Sequence, residues 1–182
     1  MRRIHFSVIH PNAKRIHFVN ETDVTVLLSR LPHELWQRLR GVHFNDRSFG
    51  VRRLGYVNRG RHDIALCALP QRLSLNACCR WNALSPSEFG ALWGAKWPVL
   101  AVRRFMLYDV FLHELGHLQV FDSRRASRRL RFFDEKLANE FAISWRHRLW
   151  STHFDHPDLV HNPPVATELA GGKNGDRVFV GG

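Results

Sequence analysis

Long apolar runs are missing from this chain: no uncharged stretch reaches 18 residues, so no membrane-spanning helix is expected. Cysteine is scarce as well. Cys67, Cys78 and Cys79 are the whole set. They form no CxxC pair, and an odd count without a framework excludes a disulfide scaffold and argues for reduced thiols in a cytoplasmic setting. Met1-Arg2-Arg3 is followed by the polar stretch IHFSVIHPNAK, which lacks the apolar core of a secretory leader, so none is expected. Acidic residues are outnumbered, 16 Asp and Glu against 27 Lys and Arg, for a formal charge of +11, and Lys supplies only 4 of the 27. Such a surface attracts polyanions without selecting among them, so weak, sequence-indifferent contact with nucleic acid is expected.

What the chain does have is the material of a core. Hydrophobic residues make up 45% of 182, with six Trp and thirteen Phe. That composition excludes a disordered chain, and the length suits one domain that buries roughly 70% of its unfolded surface. Residues 1–95 read as the sheet-rich part. Arg15 to Val19, Asp23 to Leu28, Val42 to Phe44, Val51 to Tyr56 and Asp63 to Leu69 carry strand-like patterns. Leu31 to Leu39 reads as a short helix opened by Pro32, Leu73 to Ala83 is ambiguous, and Ser85-Pro86-Ser87-Glu88 is a capping-box helix start.

The stretch that carries chemistry is Trp97 to Phe121, WPVLAVRRFMLYDVFLHELGHLQVF, with Pro98 at the helix entrance and a helical apolar period after it. Within it lies His113-Glu114-Leu115-Gly116-His117. Side chains four apart on a helix lie one above the other, so both imidazoles can share one metal ion. Glu114 lies about 100° round the helix, where it can reach a water without being a ligand. That is the general-base position of a zinc peptidase.

A third ligand has to come from elsewhere. Leu130 to Trp150 is a second helical pattern, with Leu137, Phe141, Trp145 and Leu149 as its apolar stripe. Glu135, Ala138, Asn139 and Ala142 run beside it on a narrow face. A carboxylate there completes a His2Glu set and leaves a fourth position for water. Asn139 is expected to hold a ligand imidazole through its free ring nitrogen.

HELGH followed 18 residues later by Glu135-Lys136-Leu137-Ala138-Asn139-Glu140-Phe141-Ala142 resembles the gluzincin signature, and its ExxAN-x-FA form is most similar to minimal gluzincins of the ImmA/IrrE type. The resemblance covers roughly residues 98–150. It implies Zn2+ held by His113, His117 and Glu135, with Glu114 as catalytic base, and a peptide or protein substrate. Asn139 stands where many gluzincins have Asp, and no LLMP-like ending follows Phe141-Ala142.

The expectation is therefore an α+β, minimal zincin-like domain over 1–160. A small mixed sheet packs on the HExxH helix, the site helices span 96–150, and 161–182 form a mobile tail. In zincins an antiparallel edge strand borders the cleft, a role open to the hairpin before the motif helix. Glu140 lies about 140° from Glu135 on the same helix and is expected to face solvent beside Lys136. Asp109 is a candidate partner for His113, and His153 or His156 for a developing oxyanion. Arg124, Arg125, Arg128, Arg129 and Arg131 form a basic lip between the site helices. The competing reading is a nucleic-acid-binding or regulatory protein with a structural or degenerate metal site. It would need four protein ligands and would have no use for Glu114.

Overall fold

The computed structural model describes residues 3–46, 53–119 and 128–171, with side chains in the last segment described from Asp134 to Leu169. Its architecture is α+β. Strands β1 (His5–Val8), β3 (Gly41–Asn45), β5 (Asp63–Cys67) and β4 (Gly55–Asn58) form a mixed sheet in the order β1-β3-β5-β4. β1, β3 and β5 run parallel, and β4 is an antiparallel edge strand. β2 (Arg15–Ile16) and β6 (Leu69–Pro70) pair separately. Period-two alternation sends Val42, Phe44, Ile64 and Leu66 into the core, and turns Ser7, His43, Asn45, Tyr56 and Asp63 to the opposite face.

The helices are α1 (Glu21–Ser29), α2 (Asn76–Trp81), α3 (Val99–Phe105), α4 (Leu112–Gln119), α5 (Arg128–Ser151) and α6 (Ala166–Gly171). Between α3 and α4 the helix continues as a π segment, Met106–Phe111, so the expected motif helix is continuous but changes pitch one turn before His113. Such wide turns shift the facing of the next helical residues and occur often at functional sites. No described helix is long and apolar enough to cross a membrane.

Several local expectations are corrected. Asp23 to Leu28, read as a strand from its β-branched residues, lies in α1. Asn20 Oδ1 accepts from the Asp23 N–H at 3.1 Å and Asp23 Oδ2 from the Asn20 N–H at 3.1 Å, a capping box that starts a helix whose Val24, Leu27 and Leu28 are buried. The strand at Arg15 is two residues long, and the helix at Leu31 to Leu39 is a single 3-10 turn, His33–Leu35. Of the strand expected over Val51 to Tyr56, the described part forms β4 from Gly55, and Val51 and Arg52 lie outside the described residues. The Ser85–Glu88 capping box is present, on a 3-10 turn that stops at left-handed Gly90.

On α5 the fully buried stripe is Ala138, Ala142, Arg146 and Leu149, one position round from the expected one; Leu137, Phe141 and Trp145 are half-buried. Arg146 is 0% exposed. Its Nη1 donates to Asp109 Oδ1 at 2.9 Å and its Nη2 to Glu88 Oε2 at 2.7 Å, which is what lets a charge sit inside.

Residues from 161 onward were expected as tail, but two of them, His161 and Glu168, are held against the domain. His161 is 1% exposed, and Glu168 of α6 forms an ion pair with the buried Arg104. Residues 172–182 and the side chains of the expected Arg lip lie outside the described residues.

Candidate metal centre

Helices α4 and α5 pack face to face, and the contact depends on small residues. A Cβ on Gly116 would stand 3.0 Å from Ala138 Cα and 3.2 Å from its carbonyl oxygen. Closeness at this level brings Asp134 and Glu135, one turn earlier on α5, against the two histidines. His113 Nε2 and His117 Nε2 are 3.0 Å apart. Glu135 Oε2 is 3.3 Å from His113 Nε2, and its Oε1 is 3.5 Å from His117 Nε2.

These separations test the fit to a metal. Ligand atoms roughly 2.0–2.1 Å from a tetrahedral Zn2+ stand about 3.3 Å from one another. The two imidazole nitrogens and the carboxylate oxygens nearest each of them, a different oxygen of Glu135 for each histidine, stand at separations that bracket that value. One donor atom from each of His113, His117 and Glu135 lies within 4.8 Å of the others, and this donor triangle is the group among the described residues that could hold an ion. Glu140 is not part of it: it faces solvent, with Lys136 Nζ 3.7 Å from its Oε1.

The His117 ring is set from behind. Its Nδ1 lies 3.3 Å from Asp134 Oδ1, and Arg59, from the β4–β5 turn, pairs with the same carboxylate. Arg59 Nη2 is also 3.3 Å from His117 Nδ1. Both contacts cannot be hydrogen bonds to one nitrogen. With Nε2 turned to the donor triangle, Nδ1 carries the proton and gives it to Asp134, while Arg59 neutralises Asp134. The role expected of Asn139 thus falls to Asp134. The reason is direction: α5 runs antiparallel to α4, so the later histidine meets the earlier part of α5, and Asn139 lies one turn further on, in the wall of the groove. Asp134 stands directly before Glu135 in the sequence, but Arg59 is 75 residues away from it and left no local signal.

Charge follows from this packing. The hydrogen bonds of His113 and His117 hold the Glu135 carboxyl well below the usual carboxylate range. Burial pulls His113 down, but its bond to Glu135 and the charges of Glu114, Glu135 and Asp109 outweigh it and hold its pKa above the ordinary value. Glu114 is 8% exposed; burial raises its pKa against the opposing pull of the two imidazoles.

A cavity of about 310 Å³ opens beside these groups. Its walls come from the start of edge strand β4 (Gly55, with Leu54 just before it), the end of α2 (Cys78, Trp81, Asn82), the π segment (Phe105 nearby, Asp109, Val110) and α5 (Glu135, Asn139), with Arg53 at one end. Gly55 lies against Val110 and Glu114, so the edge strand does border the groove. Asp109 is a wall residue held by Arg146, with burial raising its pKa first and Arg146 opposing. His153 and His156 are elsewhere. About 24 Å of helical rise separates Glu135 from Ser151. Beyond it His153 lines a separate depression with Arg30 and Trp145, and His156 stacks on Phe154. The donors that do face the groove are Arg53, Asn82 and Asn139. Cys78 is a wall residue, and Cys67 and Cys79 are buried thiols pushed up to about 11 and about 12 by burial.

Comparison with protein-family models, with curated proteins and with solved structures gives no match.

Proposed function

We propose that the chain is a zinc-dependent peptide hydrolase, with His113, His117 and Glu135 as metal ligands and Glu114 as general base. The observation that carries this reading is the convergence of His113, His117 and Glu135, whose donor atoms lie within 4.8 Å of one another, with a second, buried carboxylate, Glu114, beside them that is not a member of the group. A purely structural site would use four protein ligands.

When bound, zinc supplies Lewis-acid chemistry, polarising a carbonyl and lowering the pKa of water. The rest is work of this chain. Glu114 takes the proton of the attacking water and passes it to the leaving amine, and the burial that raises its pKa suits a group that must release the proton again. Asp134 keeps the His117 proton on Nδ1, and Arg59 keeps Asp134 in place. Arg53 and Asn139 are the donors placed to meet developing negative charge. The edge strand β4 offers backbone groups to an extended substrate, which is how a peptide can be aligned without reading its sequence.

The experiment is elemental analysis of the purified protein together with cleavage of a mixed peptide library. One zinc per chain and chelator-sensitive cleavage are expected. A protein that takes up no metal, or cleavage indifferent to chelator, removes the reading.

A further inference from the structure

The face of the sheet turned away from the metal centre carries a second set of reactive groups. Ser7, His43 and Ala65 are in register across β1, β3 and β5, and Tyr56 of β4 continues the row. Ser7 Oγ is 2.5 Å from His43 Nδ1, and His43 Nε2 is 3.2 Å from Asp63 Oδ2. The tautomer that satisfies both contacts leaves Nδ1 as acceptor for the Ser7 hydroxyl and places the ring proton on Nε2, directed at Asp63. That is a hydroxyl within reach of a base, and a base oriented by a carboxylate.

Two small residues permit the arrangement. Asp63 pairs in register with Gly41, and a Cβ there would come within 2.9 Å of Asp63 Oδ1 and 3.1 Å of His43 Nε2, so a side chain would occupy the space the contact needs. Ala65 separates Tyr56 from β3, and over it the Tyr56 ring reaches across to accept from Asn45 Nδ2 at 2.9 Å. The Tyr56 hydroxyl therefore stands over β3, one strand from Ser7. With its oxygen accepting from Asn45, it keeps its own proton to donate. A phenol polarised in this way is a donor for an oxyanion.

All these groups, with Arg61, line one open cavity of about 370 Å³. None contributes to the groove beside His113 and His117.

We propose that this cavity is a second, metal-independent hydrolytic site for small carboxylic esters, with Ser7 as nucleophile. Ser7 Oγ forms a bond to the ester carbonyl carbon as its proton passes to His43 Nδ1, and Asp63 accepts from the imidazolium. The Tyr56 hydroxyl donates to the carbonyl oxygen. The bond from carbon to the leaving oxygen breaks, the proton on Nδ1 goes to that oxygen, and the alcohol departs from an acyl-Ser7. Water then attacks the acyl carbon, His43 takes its proton and returns it to Ser7 Oγ, and the carboxylic acid is released. The net reaction is ester plus water to acid plus alcohol.

The test uses the full chain and two probes, an alkyl fluorophosphonate read by mass spectrometry and p-nitrophenyl butyrate read by absorbance. The Glu114→Gln background silences the proposed metal site, so the failure of one site is separable from failure of the other. The expected result is a single phosphonyl adduct on Ser7, formed about 100-fold more slowly in a folded His43→Ala variant and partly restored by added imidazole. Butyrate hydrolysis in the Glu114→Gln background should disappear when Ser7→Ala is added. No adduct on Ser7, an adduct formed as fast in His43→Ala, or hydrolysis that survives Ser7→Ala would overturn the proposal.

Discussion

Gly116 lies so close to Ala138 that one added carbon would stand 3.0 Å from the Ala138 Cα. That approach sets how closely α5 packs on α4 one turn from Glu135, and with it the position of Glu135 beside two imidazoles whose Nε2 atoms are 3.0 Å apart. The third ligand of the proposed centre therefore depends on a glycine that is itself not a ligand.

Glu135 and Glu140 should differ sharply. Glu135→Ala removes one of three donors and is expected to lower zinc affinity by orders of magnitude. Glu140→Ala breaks only an exposed pair with Lys136 and should leave zinc affinity unchanged. Metal titration of the two variants checks this, and equal losses would mean that the facing of α5 is misassigned.

Asp134→Asn keeps the size of the group behind His117 and removes its charge. Zinc affinity is expected to fall about 10–100-fold, the usual effect of losing such a partner, with the fold intact by circular dichroism. Asn139→Ala should change zinc affinity much less. The reverse order would return the role to Asn139.

Helical spacing is the part of this site that a sequence makes legible. The HELGH pair and the helix carrying Glu135 are readable because spacing on a helix fixes direction, and the Ser85–Glu88 capping box because its partners are three apart. Asp23 to Leu28 misled because β-branched residues suggest a strand, although Asn20 and Asp23 held the local helix signal. Arg59 beside Asp134, Arg146 between Asp109 and Glu88, and Ser7 beside His43 join residues 75, 37, 58 and 36 positions apart. No local pattern encodes such pairs, since the pairing of strands and helices creates them.

Arg146 is the test of packing. Its guanidinium has no exposed surface and bridges Asp109 and Glu88, over the ring of Phe89 at 4.9 Å. Arg146→Met leaves two carboxylates without their partner and should cost about 3 kcal/mol of stability, the low end for such losses because Asp109 can take up a proton. A shift in the urea midpoint at pH 7 measures it. A stability equal to the wild type would mean that the network contributes nothing net.

His161 makes stability depend on pH. Burial depresses its pKa from 6.5 to about 4, with His156, Arg30 and Arg103 also opposing its charge and Asp158 favouring it; Tyr108 Oη and Asp23 are its other neighbours. The unfolded chain binds the proton first, so stability is full above about 6.5 and falls as pH drops toward 4, by at most about 3 kcal/mol. Urea unfolding at pH 7.5 and pH 5.0 should show this loss in the wild type and a smaller one in His161→Gln. Parallel losses in both would assign the pH dependence to other groups.

In the proposed reaction Glu114 acts on water beside a metal it does not bind. The most direct measurement is cleavage of a peptide mixture by zinc-loaded wild type and Glu114→Gln, followed by mass spectrometry at matched zinc content. Cleavage by the wild type is expected, with a loss of at least about 1,000-fold in a variant that still holds one zinc per chain. Equal cleavage by the two proteins, or a variant that no longer holds zinc, would contradict it.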